Sequence, residues 1–106
     1  MSKFLILYRA PVSAGEQMAS ATPEQAKAGM DAWMAWANQA GKAVVDLGAP
    51  LADAGTVGSG SGEFVGGFSI IEADSAADAE QLLRNHPHLK NGGSIDLHEF
   101  LQMPGM

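Results

Sequence analysis

Two segments of this chain are apolar on both of their alternating faces, which restricts it to folds whose sheet is covered above and below. Lys3-Phe-Leu-Ile-Leu-Tyr-Arg9 presents Phe4, Ile6 and Tyr8 to one side and Leu5 and Leu7 to the other. Phe64-Val-Gly-Gly-Phe-Ser-Ile-Ile71 sets Phe64, Phe68 and Ile70 against Val65 and Ile71. Side chains of a strand alternate with period two, so a run that is apolar in both registers expects burial on both sides. Gly66-Gly67 thins the middle of the second run and predicts a bulge or a close backbone approach.

The remaining elements follow from capping signals and periodicity. Ala10 to Ala21 is small and polar and reads as a loop. Thr22-Pro-Glu-Gln25 is a capping-box start with Pro at the first helical position. Ala26, Met30, Trp33, Met34 and Ala37 then recur at the spacing of one helical face, up to Gly41. Gly29 stands mid-helix, where it suggests close approach of a strand or ring. Lys42 to Gly48 reads as a second strand interrupted by Asp46. Ala49 to Glu63, with Gly55, Gly58, Gly60 and Gly62, reads as a flexible connector or a lid. Ser75-Ala-Ala-Asp78 opens a second helix, with Ala79, Leu82 and Leu83 inward and Pro87 as its stop. Asn91-Gly-Gly93 turns into a fourth strand, Ser94 to Gln102, where Ile95, Leu97 and Leu101 alternate with Asp96 and His98. Met103 to Met106 reads as a frayed tail.

The order β-α-β-β-α-β, with right-handed crossovers, gives an α+β, ferredoxin-like antiparallel sheet of spatial order 4-1-3-2 with both helices on one face. Residues 1–106 make one domain, long enough to bury roughly 65% of its unfolded surface. Two helices cover one sheet face only. Each large side chain left wet on the other forfeits about 1.5–3 kcal/mol. A homodimer, sheet packed on sheet about a two-fold axis, is the expected remedy.

Composition excludes several function classes. The chain has no cysteine, so thiol catalysis, disulfides and thiolate metal sites are out. Its net charge of −6 argues against nucleic-acid binding. The apolar stretch behind Met1-Ser2-Lys3 is too short for a signal-peptide core or a membrane span, which makes a cytoplasmic protein away from membranes the default expectation.

Several segments together resemble a known family. They are Met30-Asp-Ala-Trp-Met-Ala-Trp36, Gly41-Lys-Ala-Val-Val-Asp-Leu-Gly48, Gly66-Gly-Phe-Ser-Ile-Ile-Glu-Ala-Asp-Ser75, His86-Pro87 and Gly92-Gly-Ser-Ile-Asp96. In sequence and order the chain is similar to the YCII-related (DGPF-motif) proteins over nearly its whole length. The resemblance implies a ferredoxin-like fold paired as a dimeric α/β barrel. Two departures bear on activity. Gly-Ser-Gly-Ser-Gly-Glu-Phe64 replaces the Asp-Gly-Pro-Phe motif. The dyad assigned to YCII-proper relatives pairs a His on the first helix with an Asp just before a Pro after the second; here the first helix has no His and the residue before Pro87 is His86. Neither the dyad nor the dehydrochlorinase activity of one relative carries over.

The residues that could carry chemistry each have a plain structural reading beside the functional one. His86 and His88, at the end of the second helix, are either exposed and favourable to the helix dipole, or His86 faces a helix–sheet cleft as an acid or base. As a metal pair they lack a third ligand, so no metal is expected. Asp46 is a candidate base beside His86, or a wet carboxylate guarding an edge strand. Arg9 could clamp an anion or pair with a carboxylate. Trp33 and Trp36, with Met30 and Met34, form a stripe that is core or pocket wall. Gly58 to Gly62 precedes a strand rather than a helix, which speaks against phosphate binding.

Three functions are open at this level. One is a small-molecule-binding module with a pocket lined by Tyr8, Arg9, Trp33, Trp36 and Phe68. Another is a cofactor-free lyase or isomerase acting on a small aromatic or lactone-like substrate through His86 with Asp46 or Tyr8. The third is a regulatory interaction module linked to transcription, because related domains are joined to sigma factors.

Overall fold

A computed structural model describes residues 2–11, 14–52, 54, 57, 64–90 and 92–101 of the chain. Its elements are β1 (Ser2–Ala10), α1 (Ala14–Ser20), α2 (Pro23–Ala40), β2 (Val44–Pro50), β3 (Phe64–Ala73), α3 (Ala76–Leu83), α4 (Pro87–Lys90) and β4 (Ser94–Glu99), with a 3₁₀ turn at Gly41–Ala43. The strands form one four-stranded antiparallel sheet in the order β2-β3-β1-β4, as the sequence predicts. The two strands that are apolar on both faces are the central pair. The Gly/Ser connector at 58–62, expected as a lid, and the tail at 103–106 lie outside the described residues.

Registry assigns the two sheet faces. Phe4, Ile6 and Tyr8 sit opposite Ile71, Ser69 and Gly67, and all six are buried. With Trp36, Ala73, Ala79 and Leu83 they make the core under the helices. Leu5 and Leu7 sit opposite Ile70 and Phe68 on the other face, where all four are only half-buried. The molecule measures 47 × 39 × 19 Å, so its short axis holds one sheet and one helical layer. The bulge expected at Gly66-Gly67 is present: registry slips between Tyr8/Arg9 and their β3 partners. It moves Val65 onto Arg9, away from the face of Ile71 where simple alternation puts it.

The capping box on α2 is complete, with the Thr22 hydroxyl accepting from the Gln25 amide and the Gln25 side chain accepting from the Thr22 amide. The phase of the helix differs from the sequence reading. Met30 and Met34 are 63% and 43% exposed, and the buried residue is Trp36, flanked by Trp33, Ala37 and Ala40. Residues 14–20, read as loop, form α1, whose Ala, Glu, Gln and Met are strong helix formers without an apolar stripe. Pro87 opens α4 rather than merely ending the helix before it.

Two glycines separate backbone need from tolerance. Gly48 has φ +80°, and a Cβ there would lie 1.7 Å from the Phe68 carbonyl oxygen, whereas a Cβ on Gly29 meets nothing within 4 Å. The close approach suggested for Gly29 is therefore absent among the described residues. Gly29→Ala is expected to raise stability by about 0.5–1 kcal/mol in urea denaturation. Gly48→Ala is expected to lower it by more than about 2 kcal/mol, from strain and from a broken β2–β3 contact. A Gly48→Ala variant as stable as the parent would contradict this geometry.

Candidate functional site

Four rings converge between α2, α4 and the covered face of the sheet. Tyr8 comes from β1, Trp33 and Trp36 from α2, and His86 from the residue that precedes α4. The His86 ring centroid lies 4.9 Å from Tyr8, 4.4 Å from Trp33 and 4.5 Å from Trp36, with interplanar angles of 31°, 90° and 61°. Tyr8 also meets Trp33 edge-on at 4.8 Å. Edge-to-face rings at these separations are favourable beyond their burial. His86 is 0% exposed and Trp36 4%; Trp33 is the half-buried wall.

His86 is held by local backbone chemistry. Pro87 at the start of α4 makes His86 the residue in the N-cap position, and its carbonyl accepts from the Leu89 amide. Its Nδ1 accepts from the backbone N–H of His88 at 3.0 Å. A backbone N–H can only donate, so Nδ1 carries the lone pair and the neutral ring carries its proton on Nε2. That Nε2 is buried and has no hydrogen-bond partner among the described residues. Burial, with a smaller effect from the charge of His88, pulls the His86 pKa from 6.5 down to about 4, so the ring is uncharged at neutral pH.

The polar groups of Tyr8, Trp36 and the adjoining His88 are committed. Tyr8 donates its hydroxyl to Ser69 Oγ at 2.8 Å, and Ser69 donates to the Leu47 carbonyl at 2.6 Å. Burial raises the Tyr8 pKa, opposed by the Ser69 contact. The Trp36 indole N–H donates to the Leu82 carbonyl at 2.7 Å. His88 Nε2 donates to the Arg9 carbonyl at 2.8 Å. The His88 ring covers Gly93, where a Cβ would fall 2.2 Å from Nε2.

The residues proposed from sequence thus divide. Tyr8, Trp33, Trp36 and His86 come together. Phe68 does not join them: its side chain shares the open sheet face with Leu7, because the strand alternation that buries Ser69 turns Phe68 the other way. Arg9 also faces that side and pairs with Asp96. Asp46 is corrected as a partner of His86. It stands exposed on edge strand β2 opposite Ile70, and its carboxylate accepts from the Gly48 amide at 2.8 Å. There it supports the irregular, twice-shifted registry of β2. The reading of His86 as exposed at a helix C-terminus is likewise overturned. Ser69, His88 and Gly93 were not singled out for these contacts; the His-Pro pair, with Pro at the first helical position, was the available signal for His88.

Neither of the two best-formed surface grooves includes His86. The larger, about 380 Å³, is lined by Glu72, Ala73, Asp74, Asp78, Gln81 and Leu82. The smaller, about 150 Å³, runs along Trp36, Gln39, Ala40, Gln81, Leu82 and Asn85 and so adjoins the cluster. Among the described residues, no group of three or more His, Asp or Glu could hold a metal ion, and no helix is long and apolar enough to cross a membrane.

Comparison with known proteins gives two findings. Residues 1–101 match the YCII-related domain. The solved structure of 5-chloro-2-hydroxyhydroquinone dehydrochlorinase (TftG) from Burkholderia phenoliruptrix AC1100, in complex with 2,5-dihydroxybenzoquinone, is similar at 22% identity. The similarity covers 95% of each chain with a TM-score of 0.60. That likeness is one of fold. No curated protein matches.

The depressed His86 pKa has a definite sign in stability. Between pH 6.5 and about 4 the unfolded chain binds the proton and the folded chain does not. Stability is therefore highest above pH 6.5 and is lost as pH falls through that window, by about 3 kcal/mol in all. His86→Phe is expected to flatten the dependence of urea-unfolding free energy on pH over this interval; an unchanged slope would show that His86 titrates normally.

Proposed function

The chain belongs to the family of YCII-related domains, and on that premise we propose that it is a homodimeric protein that binds a small ring-shaped molecule at the Tyr8–Trp33–Trp36–His86 cluster. The observation that carries this reading is the His86 Nε2–H, held buried among three aromatic rings with no acceptor among the described residues. A buried donor without an acceptor costs about 1–3 kcal/mol. A fold that maintains one beside flat apolar walls gains when an incoming acceptor completes it. The fold neighbour's complex with 2,5-dihydroxybenzoquinone, a small flat ring compound, is in keeping with this reading.

Binding is better supported than proton transfer. Nδ1 is occupied by the His88 amide and Nε2 already holds its proton, so the neutral ring offers no free lone pair to a substrate. Asp46 is distant in function, engaged with Gly48 on the edge strand. Tyr8 donates its hydroxyl hydrogen bond to Ser69.

The second copy is supported by the open sheet face. Leu5, Leu7, Phe68 and Ile70 form its apolar centre, and the Arg9–Asp96 pair stands beside it. The pair balances its own charge, so an identical face can pack against it without repulsion.

Two measurements test these readings. The chain's only two tryptophans both wall the cluster. A saturable change in tryptophan emission is therefore expected for some member of a panel of single-ring compounds; no saturable response from any member at millimolar concentration would contradict binding. Sedimentation velocity at micromolar protein is expected to give twice the chain mass, and Phe68→Glu is expected to weaken self-association at least tenfold. A monomeric parent chain would contradict the dimer.

A further inference from the structure

Resting on the binding reading above, we infer that the cluster selects an uncharged planar ring bearing a hydrogen-bond acceptor, with His86 Nε2–H as the donor, and discriminates against charged isosteres of either sign. The specification comes from what each group has left to offer. Tyr8, Trp36 and His88 have given their polar hydrogens to Ser69, Leu82 and Arg9. His86 Nε2 is the buried side-chain polar atom that has no partner among the described residues. Its tautomer is not adjustable, because the His88 amide holds Nδ1 as acceptor. A ligand therefore meets a donor and must bring a lone pair.

Charge is excluded from both sides. The Arg9 guanidinium belongs to the opposite sheet face and is bound to Asp96, and Arg84 and Lys90, close to His86 in the chain, stand exposed. An anion would enter an apolar nest with no cation to balance it, at a large desolvation cost. A cation would be aimed at an N–H rather than at an acceptor. A neutral carbonyl or ring nitrogen satisfies the donor and asks for nothing further.

Size follows from the surroundings. The groove beside Trp36 and Asn85 holds about 150 Å³, the scale of a single six-membered ring. This groove shares Trp36 with the ring cluster, and its Asn85 adjoins His86 in the chain. Trp33, half-buried where Trp36 and Tyr8 are buried, is the ring of the cluster that solvent reaches.

The test uses four one-ring probes of similar size: acetophenone, ethylbenzene, benzoate and benzylammonium, titrated against the full chain by tryptophan emission. One completed hydrogen bond is expected to make acetophenone bind about tenfold tighter than ethylbenzene. Benzoate and benzylammonium are expected to bind more weakly than ethylbenzene. His86→Phe is expected to bring acetophenone within about twofold of ethylbenzene. In the parent chain, the ¹⁵N resonance of His86 Nε2 is expected to move with acetophenone and not with ethylbenzene, a readout that needs no variant to fold. Binding of ethylbenzene or benzoate as tight as acetophenone overturns the donor assignment while leaving a binding cluster in place. Failure of all four probes at millimolar concentration overturns the binding reading itself.

Discussion

A single backbone amide, that of His88, sets the chemistry of the covered side of the molecule. By donating to Nδ1 of His86 it fixes which nitrogen holds the proton and which way the ring faces. It can do so because Pro87 starts a helical turn in whose first residues the His88 amide has no intrahelical acceptor. Take away the proline-led turn and His86 would have no local reason to lie inward. The three rings around it would then lose the body that they pack against. Local capping chemistry, core packing and the polarity of the candidate site are here one arrangement.

The two faces of the sheet have different tasks. Under the helices, Phe4, Ile6, Ile71 and Leu83 supply the packing that supports the ring cluster. On the other side, Leu5, Leu7, Phe68 and Ile70 are only half-buried. Arg9 touches both: its carbonyl accepts from His88 on the covered side, while its guanidinium holds Asp96 on the open one. The end of β1 is thus the place where the interior site and the open face share a residue. The bulge opposite Arg9 lies at that end of the sheet, whereas the two slips in β2 fall farther along, level with Phe4 to Leu7. Irregular registry at that end suits a region that positions side chains rather than one that only packs.

Much of the fold was legible in the residues. Two strands apolar in both registers had to be central, and two capping-box starts marked the helices α2 and α3. The helical phase of α2 was less legible. Alanines at 26, 28, 32, 35, 37 and 40 make several faces nearly equivalent in apolar content, so the methionines drew the stripe toward Met30 and Met34, away from Trp36. Of the site, Tyr8, Trp33, Trp36 and His86 could be named from their chemistry. Their convergence could not, because it depends on how far α4 turns back over the sheet. Asp46 looked catalytic for being the one carboxylate in an apolar strand; its work with Gly48 appears only when the bend in β2 is known. Phe68 was misplaced because large apolar residues on both faces of β3 give no sign of which face the helices cover.

The central claim is that His86 sits in the folded chain as a neutral ring protonated on Nε2, with Nδ1 as acceptor. Long-range ¹H–¹⁵N correlation of the histidine imidazole nitrogens, followed from pH 7 to pH 4, measures this directly. A protonated-type Nε2 and an unprotonated-type Nδ1 are expected for His86, both unchanged until the pH approaches 4. Averaged nitrogen shifts titrating near pH 6.5 would contradict that protonation state.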